Sequence, residues 1–129
     1  MKVIDSSALI KYVAKEENWG KVEEHMKEGC VTLDLAIKET ANALIKKVLK
    51  SEANAETAKE IIGHLPRIVR IMPQRELLSK ALEIAIKHKL AFYDALFIAL
   101  SVNTNTPLLT SDEKQAKTSK EYGVAVTLI

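Results

Sequence analysis

The sequence predicts an α/β fold, a three-layer α/β/α sandwich in which a mostly parallel five-stranded sheet carries helices on both faces. Short runs of β-branched and aliphatic residues alternate with longer helical segments from end to end. Parallel strands need crossover connections, and those are usually helical. No Pro/Gly/Ser-rich linker, low-complexity tract or internal repeat breaks the alternation, so residues 1–129 are expected to form one domain.

The elements follow in order. "KVI" (2–4) is the first strand, and Ser6 and Ser7 are placed to cap a helix running to about Ala14. "CVTL" (30–33) is the second strand, after which Asp34 is placed to cap a helix to Lys50. A further helix is expected from Asn54 to His64, ahead of Pro66, followed by the strand "RIVRIM" (67–72). Helices over about 74–88 and 93–103 precede the strand "PLLT" (107–110). Asp112 to Glu121 forms the last helix and "VAVTL" (124–128) the last strand.

Composition narrows the function classes. A net charge of +2 is weakly basic, which permits nucleic-acid binding without arguing for it. Cys30 is the only cysteine, and His25, His64 and His88 lack metal-ligand spacing, so neither an internal disulfide nor a zinc site is expected. The longest apolar run, Leu90 to Val102, is interrupted by Asp94 and is shorter than the roughly 20 residues of a membrane span. The chain opens directly into a strand-like segment rather than a signal peptide, and a cytoplasmic protein is expected. Neither a GxxxxGK[ST] nor a GxGxxG loop occurs, and "DSSAL" after the first strand is not the Asp-x-Asp-x-Thr of aspartyl-nucleophile phosphatases.

Four acids stand out. In parallel α/β sheets, ligands gather at the carboxyl ends of strands, beside the point where strand order reverses. "KVIDSS" puts Asp5 there and "LLTSD" puts Asp112 there, each with hydroxyls beside it. The competing reading is that each caps the following helix, and Asp34 is assigned to that role alone. Asp94 is the single charge between Leu90 and Val102, on a helix apolar on every side and therefore expected to be buried. Unless it is a helix cap, a carboxylate there must be paired, hydrogen-bonded, bound to metal or protonated. Ile98 and Ser101 share its helix face. Glu39 is ambiguous: a core stripe of Ile37, Ala41, Leu44, Ile45 and Val48 puts it nearly opposite the core, yet Leu35 and Ala43 flank it as the wall of a groove would.

In this order, "VIDSSAL", "KETANAL", "FYDALFIALS" and "LLTSD" resemble the PIN-domain ribonucleases, and the chain length matches the small members that act as VapC toxins. The resemblance implies that Asp5, Glu39, Asp94 and Asp112 are the catalytic acids and metal ligands, with Ser6 and Thr110 as supporting hydroxyls. Some relatives carry a further acid just after the fourth aspartate; here the residues are Glu113, Lys114, Gln115 and Ala116, and the resemblance leaves the part of Glu113 open. Four converging carboxylates without histidine suit Mg²⁺ or Mn²⁺, one or two ions, acting on an RNA phosphodiester. The resemblance also implies a homodimer and a small antitoxin partner. Lys11, Lys38, Lys46, Lys50 and Lys114 are the candidate RNA contacts beside an acidic pocket, although a lysine on an exposed helix face is ordinarily a solvated, solubilising residue. Tyr12, Trp19, Phe92 and Tyr93 are readable as base-stacking platforms or as core. The alternative function is a PIN-like RNA- or protein-binding module that does not cut.

Overall fold

The computed structural model of the chain describes residues 1–129. Its elements are β1 (Lys2–Ile4), α1 (Ser6–Val13), α2 (Trp19–Met26), β2 (Cys30–Leu33), α3 (Asp34–Leu49), α4 (Ala55–Ile68), β3 (Arg70–Met72), a 3₁₀ turn at Arg75–Leu77, α5 (Leu78–His88), α6 (Phe92–Thr104), β4 (Leu108–Thr110), α7 (Glu113–Glu121) and β5 (Val126–Leu128). The sheet order is β3-β2-β1-β4-β5, and every strand pair is parallel. The chain therefore winds outward from β1 through β2 to β3, then returns past β1 to lay down β4 and β5 on its other side. Right-handed crossovers in these two directions put α1–α4 on one face and α5–α7 on the other. Strand order reverses between β1 and β4, so the strand ends that carry Asp5 and Asp112 are neighbours. The two strands run in register, with Val3 opposite Leu108 and Ile4 opposite Leu109. Thr32 Oγ1 donates to the Ile4 carbonyl at 2.6 Å, tying β2 to β1 near the same end.

One buried cluster joins the sheet to helices on both faces, including Ile4, Leu33 and Leu109 of the sheet, Leu9 and Leu65 of one face, and Phe97 and Ile98 of the other. In α6 every residue from Ala95 to Ser101 is buried, as expected for a helix apolar all round. Phe97 alone contributes about 1.5–3 kcal/mol by leaving water. This packing fixes α6 against β1 and β4, and its first turn is thereby presented at the carboxyl edge of the sheet. No helix is long and apolar enough to cross a membrane.

Several expectations are corrected. Helix α2 was not legible: it opens at Asn18, a left-handed residue without a side-chain cap, has Gly20 in its first turn and buries only Val22. Helix α4 runs through Pro66 to Ile68, shortening β3 to Arg70–Met72, because burial of Leu65 and Val69 and the bond from Val69 N–H to the Leu65 carbonyl hold the last turn. Asp5, not Ser6 or Ser7, caps α1. Asp34 does not cap α3; it is the first helical residue and pairs with Lys38 at 3.0 Å. The buried line of α3 is Ala36, Thr40 and Leu44, while Ile45 is 54% exposed. This line is turned from the expected one, and Glu39, adjoining it, is half-buried at the groove wall rather than opposite the core.

Candidate active site

Asp5 leaves β1 with extended backbone and enters α1 as its N-cap. Its Oδ1 accepts from Ala8 N–H at 3.0 Å and from Ser7 Oγ at 2.6 Å, and its Oδ2 accepts from Thr110 Oγ1 at 2.5 Å. At 3% exposure it is the one buried carboxylate of the protein. Burial pushes its pKa up from 3.8 to about 6 against the pull of three hydrogen bonds, and the Asp112 charge adds to the rise. Thr110 is the last residue of β4, and its hydroxyl also accepts from Asp112 N–H at 3.0 Å, so the two strand ends share a polar lattice. Ser7 belongs to that lattice as well: its hydroxyl accepts from Ser111 N–H at 2.9 Å and lies 3.2 Å from Thr110 Oγ1.

Asp112 is exposed and caps α7, its Oδ1 accepting from Gln115 N–H at 3.0 Å. The helix-cap reading thus holds geometrically for both Asp5 and Asp112, and it coexists with their position at the sheet switch point.

It does not hold for Asp94. The N-cap of α6 is Ala91, and the Asp94 side chain in the first turn makes neither a cap bond nor a salt bridge. Half-buried, it has its pKa raised first by desolvation, then by the charges of Asp112 and Glu39, while Lys114 opposes the shift. Glu39 Oε1 accepts from Ser6 Oγ at 2.6 Å, which links α3 to α1 across the site. The four sequence-predicted acids, carried by β1, α3, α6 and the β4–α7 junction, therefore act electrostatically on one another: Asp112 on both Asp5 and Asp94, Glu39 on Asp94. Ser6 donates to Glu39 and Thr110 to Asp5. Ser7 was missed; its signal was the "DSS" triplet, in which the second hydroxyl, two residues from Asp5, lies within reach of the same carboxylate.

As donors these side chains fit a hard divalent cation in kind and in charge, being oxygen-only and mutually repelling. No three of them, nor any histidine or cysteine, stand at a distance that would hold one ion. Bringing them onto one ion would require side-chain rotation, and the Asp94 carboxylate has no hydrogen bond or salt bridge to break. Glu113 is exposed at the start of α7.

Beside Glu39 a groove of mixed charge is lined by Glu16, Glu52, Lys46, Lys47 and Lys50, with Ile10, Asn42 and Ala43 between them. Lys46 and Lys50 are exposed there, Lys47 faces Glu52 at 3.9 Å, and Lys38 is taken up by Asp34. Lys114 donates to the Lys89 carbonyl at 3.2 Å, close to Asp94, whereas Lys11 reaches the Glu17 carbonyl at 3.4 Å. Tyr12 and Trp19 pack on one another, with Lys15 over the indole; Tyr93, adjoining Asp94, is 58% exposed.

Residues 2–121 match the PIN domain family. The chain is 31% identical to Ribonuclease VapC3 of Pyrobaculum aerophilum over 120 residues, spanning 89% of this chain and 92% of that protein. It is 32% identical over 80 residues to Ribonuclease VapC1 of Mycobacterium tuberculosis, covering 60% and 59% of the two chains. The crystal structure of PAE2754 from Pyrobaculum aerophilum superposes with a TM-score of 0.75 at 24% identity, covering 97% of this chain and 89% of that one, and so shares the fold. With its five-stranded parallel sheet, its order of acidic motifs and these relatives, the chain belongs to the PIN-domain family and is VapC-like within it.

Proposed function

We propose that residues 1–129 act as one nuclease domain, a metal-dependent endoribonuclease that hydrolyses RNA phosphodiester bonds in the cytoplasm as the toxin of a VapBC-type pair. The observation that supports this most is the mutual effect of the four carboxylates at the sheet switch point, a charge arrangement most readily balanced by cations. Asp5, Asp94 and Asp112 would hold one or two Mg²⁺ or Mn²⁺ ions, and Glu39 would share that task or act on the attacking water. When bound, such an ion polarises the scissile phosphate and makes water a better nucleophile. The chain's own groups do the rest. Ser6 holds one Glu39 oxygen, leaving the other to accept a proton from the attacking water. Ser7 and Thr110 hold Asp5, and Lys46 and Lys50 steady the RNA backbone along the groove. The water oxygen forms a bond to phosphorus as the bond to the 3′ oxygen breaks, so the products carry 5′-phosphate and 3′-hydroxyl ends.

The test is incubation of the purified protein with a mixed RNA panel in Mg²⁺, in Mn²⁺ and in EDTA, with end-group analysis of products. Cleavage that requires metal and leaves 5′-phosphates is expected. A 2′,3′-cyclic phosphate product would count against the mechanism, and RNA binding without cleavage would favour the non-cutting module. Replacing Lys46 and Lys50 together with alanine should weaken RNA binding and lower the dependence of log affinity on log salt by up to about 1.4, roughly 0.7 per lost phosphate contact on a single strand. Filter binding between about 50 and 200 mM salt measures this.

The same reading includes a homodimer and a small antitoxin that presents arginine or lysine to the acids. In its support, Leu78, Leu82 and Ile86 stand exposed along one side of α5, and Ile45 and Leu49 along α3, apolar area of the kind that protein contacts cover. Mass spectrometry of the protein isolated from its native cell should reveal the small partner; its absence would remove the toxin assignment and leave the nuclease standing.

A further inference from the structure

Gln115 links the two acids that stand on different helices. It lies in the first turn of α7 and is 2% exposed, while its neighbours Glu113 and Lys114 face solvent. Its backbone N–H donates to Asp112 Oδ1 at 3.0 Å, and its side-chain Nε2 donates to the Asp94 carbonyl at 2.7 Å. Its Oε1 is buried without a hydrogen-bond partner. An apolar side chain of similar volume would fill this place without burying an unsatisfied acceptor, so stability alone does not explain a glutamine here. Residues that break such a local rule are expected at functional sites.

We infer that Gln115 is a positioning residue of the acidic site, setting the separation of Asp94 and Asp112 and through it the affinity for a divalent cation. The inference rests on the metal-nuclease reading above. The Asp94 carboxylate has no hydrogen bond of its own, so its place depends on the backbone of the first turn of α6, and the Gln115 carboxamide joins that turn to α7. The Asp112 carboxylate is oriented in part by the N–H of the same residue. One residue thus bears on both like charges, its side chain tied to the Asp94 backbone and its backbone N–H to the Asp112 carboxylate.

The experiment is calorimetric titration of Mn²⁺ into the metal-free protein, comparing wild type with Gln115→Met and Gln115→Leu and using circular dichroism and thermal unfolding to establish folding. Both folded variants should bind Mn²⁺ about 10–100-fold more weakly, the usual effect of removing an outer partner of a metal ligand. RNA cleavage should need correspondingly more Mg²⁺, with kcat at saturating Mg²⁺ changed much less. Wild-type affinity in either folded variant overturns the inference. Failure of both variants to fold overturns it too, since Gln115 would then be a structural residue. A wild type that takes up no Mn²⁺ and cuts no RNA instead removes the nuclease reading on which the inference stands.

Discussion

Asp94→Asn is expected to reduce metal-dependent RNA cleavage by about 10²–10³-fold, the size of losing one preorganised electrostatic contact to a transition state. The fold should survive. The Asp94 side chain makes no hydrogen bond, caps no helix and forms no salt bridge, so an isosteric amide breaks nothing in the framework. The raised pKa of Asp94 has desolvation as its first cause and repulsion from Asp112 and Glu39 as the next. The neutral amide relieves both, and the metal-free variant should unfold at a denaturant concentration no lower than wild type near neutral pH. Parallel RNA cleavage and urea titrations in EDTA measure the two quantities. A variant as active as wild type would make Asp94 a passive residue and bring the non-cutting module forward. A variant that is inactive because it is unfolded would show that the carboxylate supports the structure.

Asp5 gives the second large effect, and here activity and stability should move in opposite directions. Its folded pKa of about 6 lies above the ordinary 3.8. The folded chain therefore keeps this proton to higher pH than the unfolded chain does. Between about pH 4 and pH 6 the native state binds more protons, and stability falls as pH rises through that window before levelling off above it. A shift of roughly two units at about 1.4 kcal/mol each sets an upper bound of about 3 kcal/mol on the loss. Asp94 works in the same direction, and Glu28 in the opposite one, but Glu28 is fully exposed beside Lys2 and screened by solvent. In Asp5→Asn the decline from pH 4 to pH 6 should shrink, so that near pH 7 in EDTA the variant matches or exceeds wild type, while RNA cleavage is lost. Urea unfolding across pH 4–7 with and without Mg²⁺ measures this, and Mg²⁺ should flatten the wild-type decline and leave the variant unchanged. An undiminished decline in Asp5→Asn would place the titrating charge elsewhere.

Much of the architecture was legible because the hydrophobic pattern of each element is local. The β1 and β2 bounds could be read residue for residue from "KVI" and "CVTL", and α6 from a run too apolar to face water. Helix α2 was illegible because a polar helix that buries one residue carries almost no periodic signal. The end of α4 was misplaced because proline argues locally for a break, whereas burial of Leu65 and Val69 on either side of Pro66 holds the turn together.

The candidate site divides the same way. By itself the sequence determined which residue types are present, four acids without a metal-spaced histidine, and that Asp5 and Asp112 follow strands and so lie on one edge of a parallel sheet. Tertiary structure decided that the two strands are neighbours, that α3 is turned so that Glu39 lines the groove, and that Asp94 is a free carboxylate rather than a cap. It also decided that Ser7, a cap candidate by sequence, holds Asp5 and that Gln115 bonds to Asp94 and Asp112. The physical reason is range: strand ends and caps follow from contacts a few residues apart, whereas the Thr110–Asp5 and Ser6–Glu39 bonds join residues 105 and 33 positions apart and exist only once the sheet has closed around its switch point.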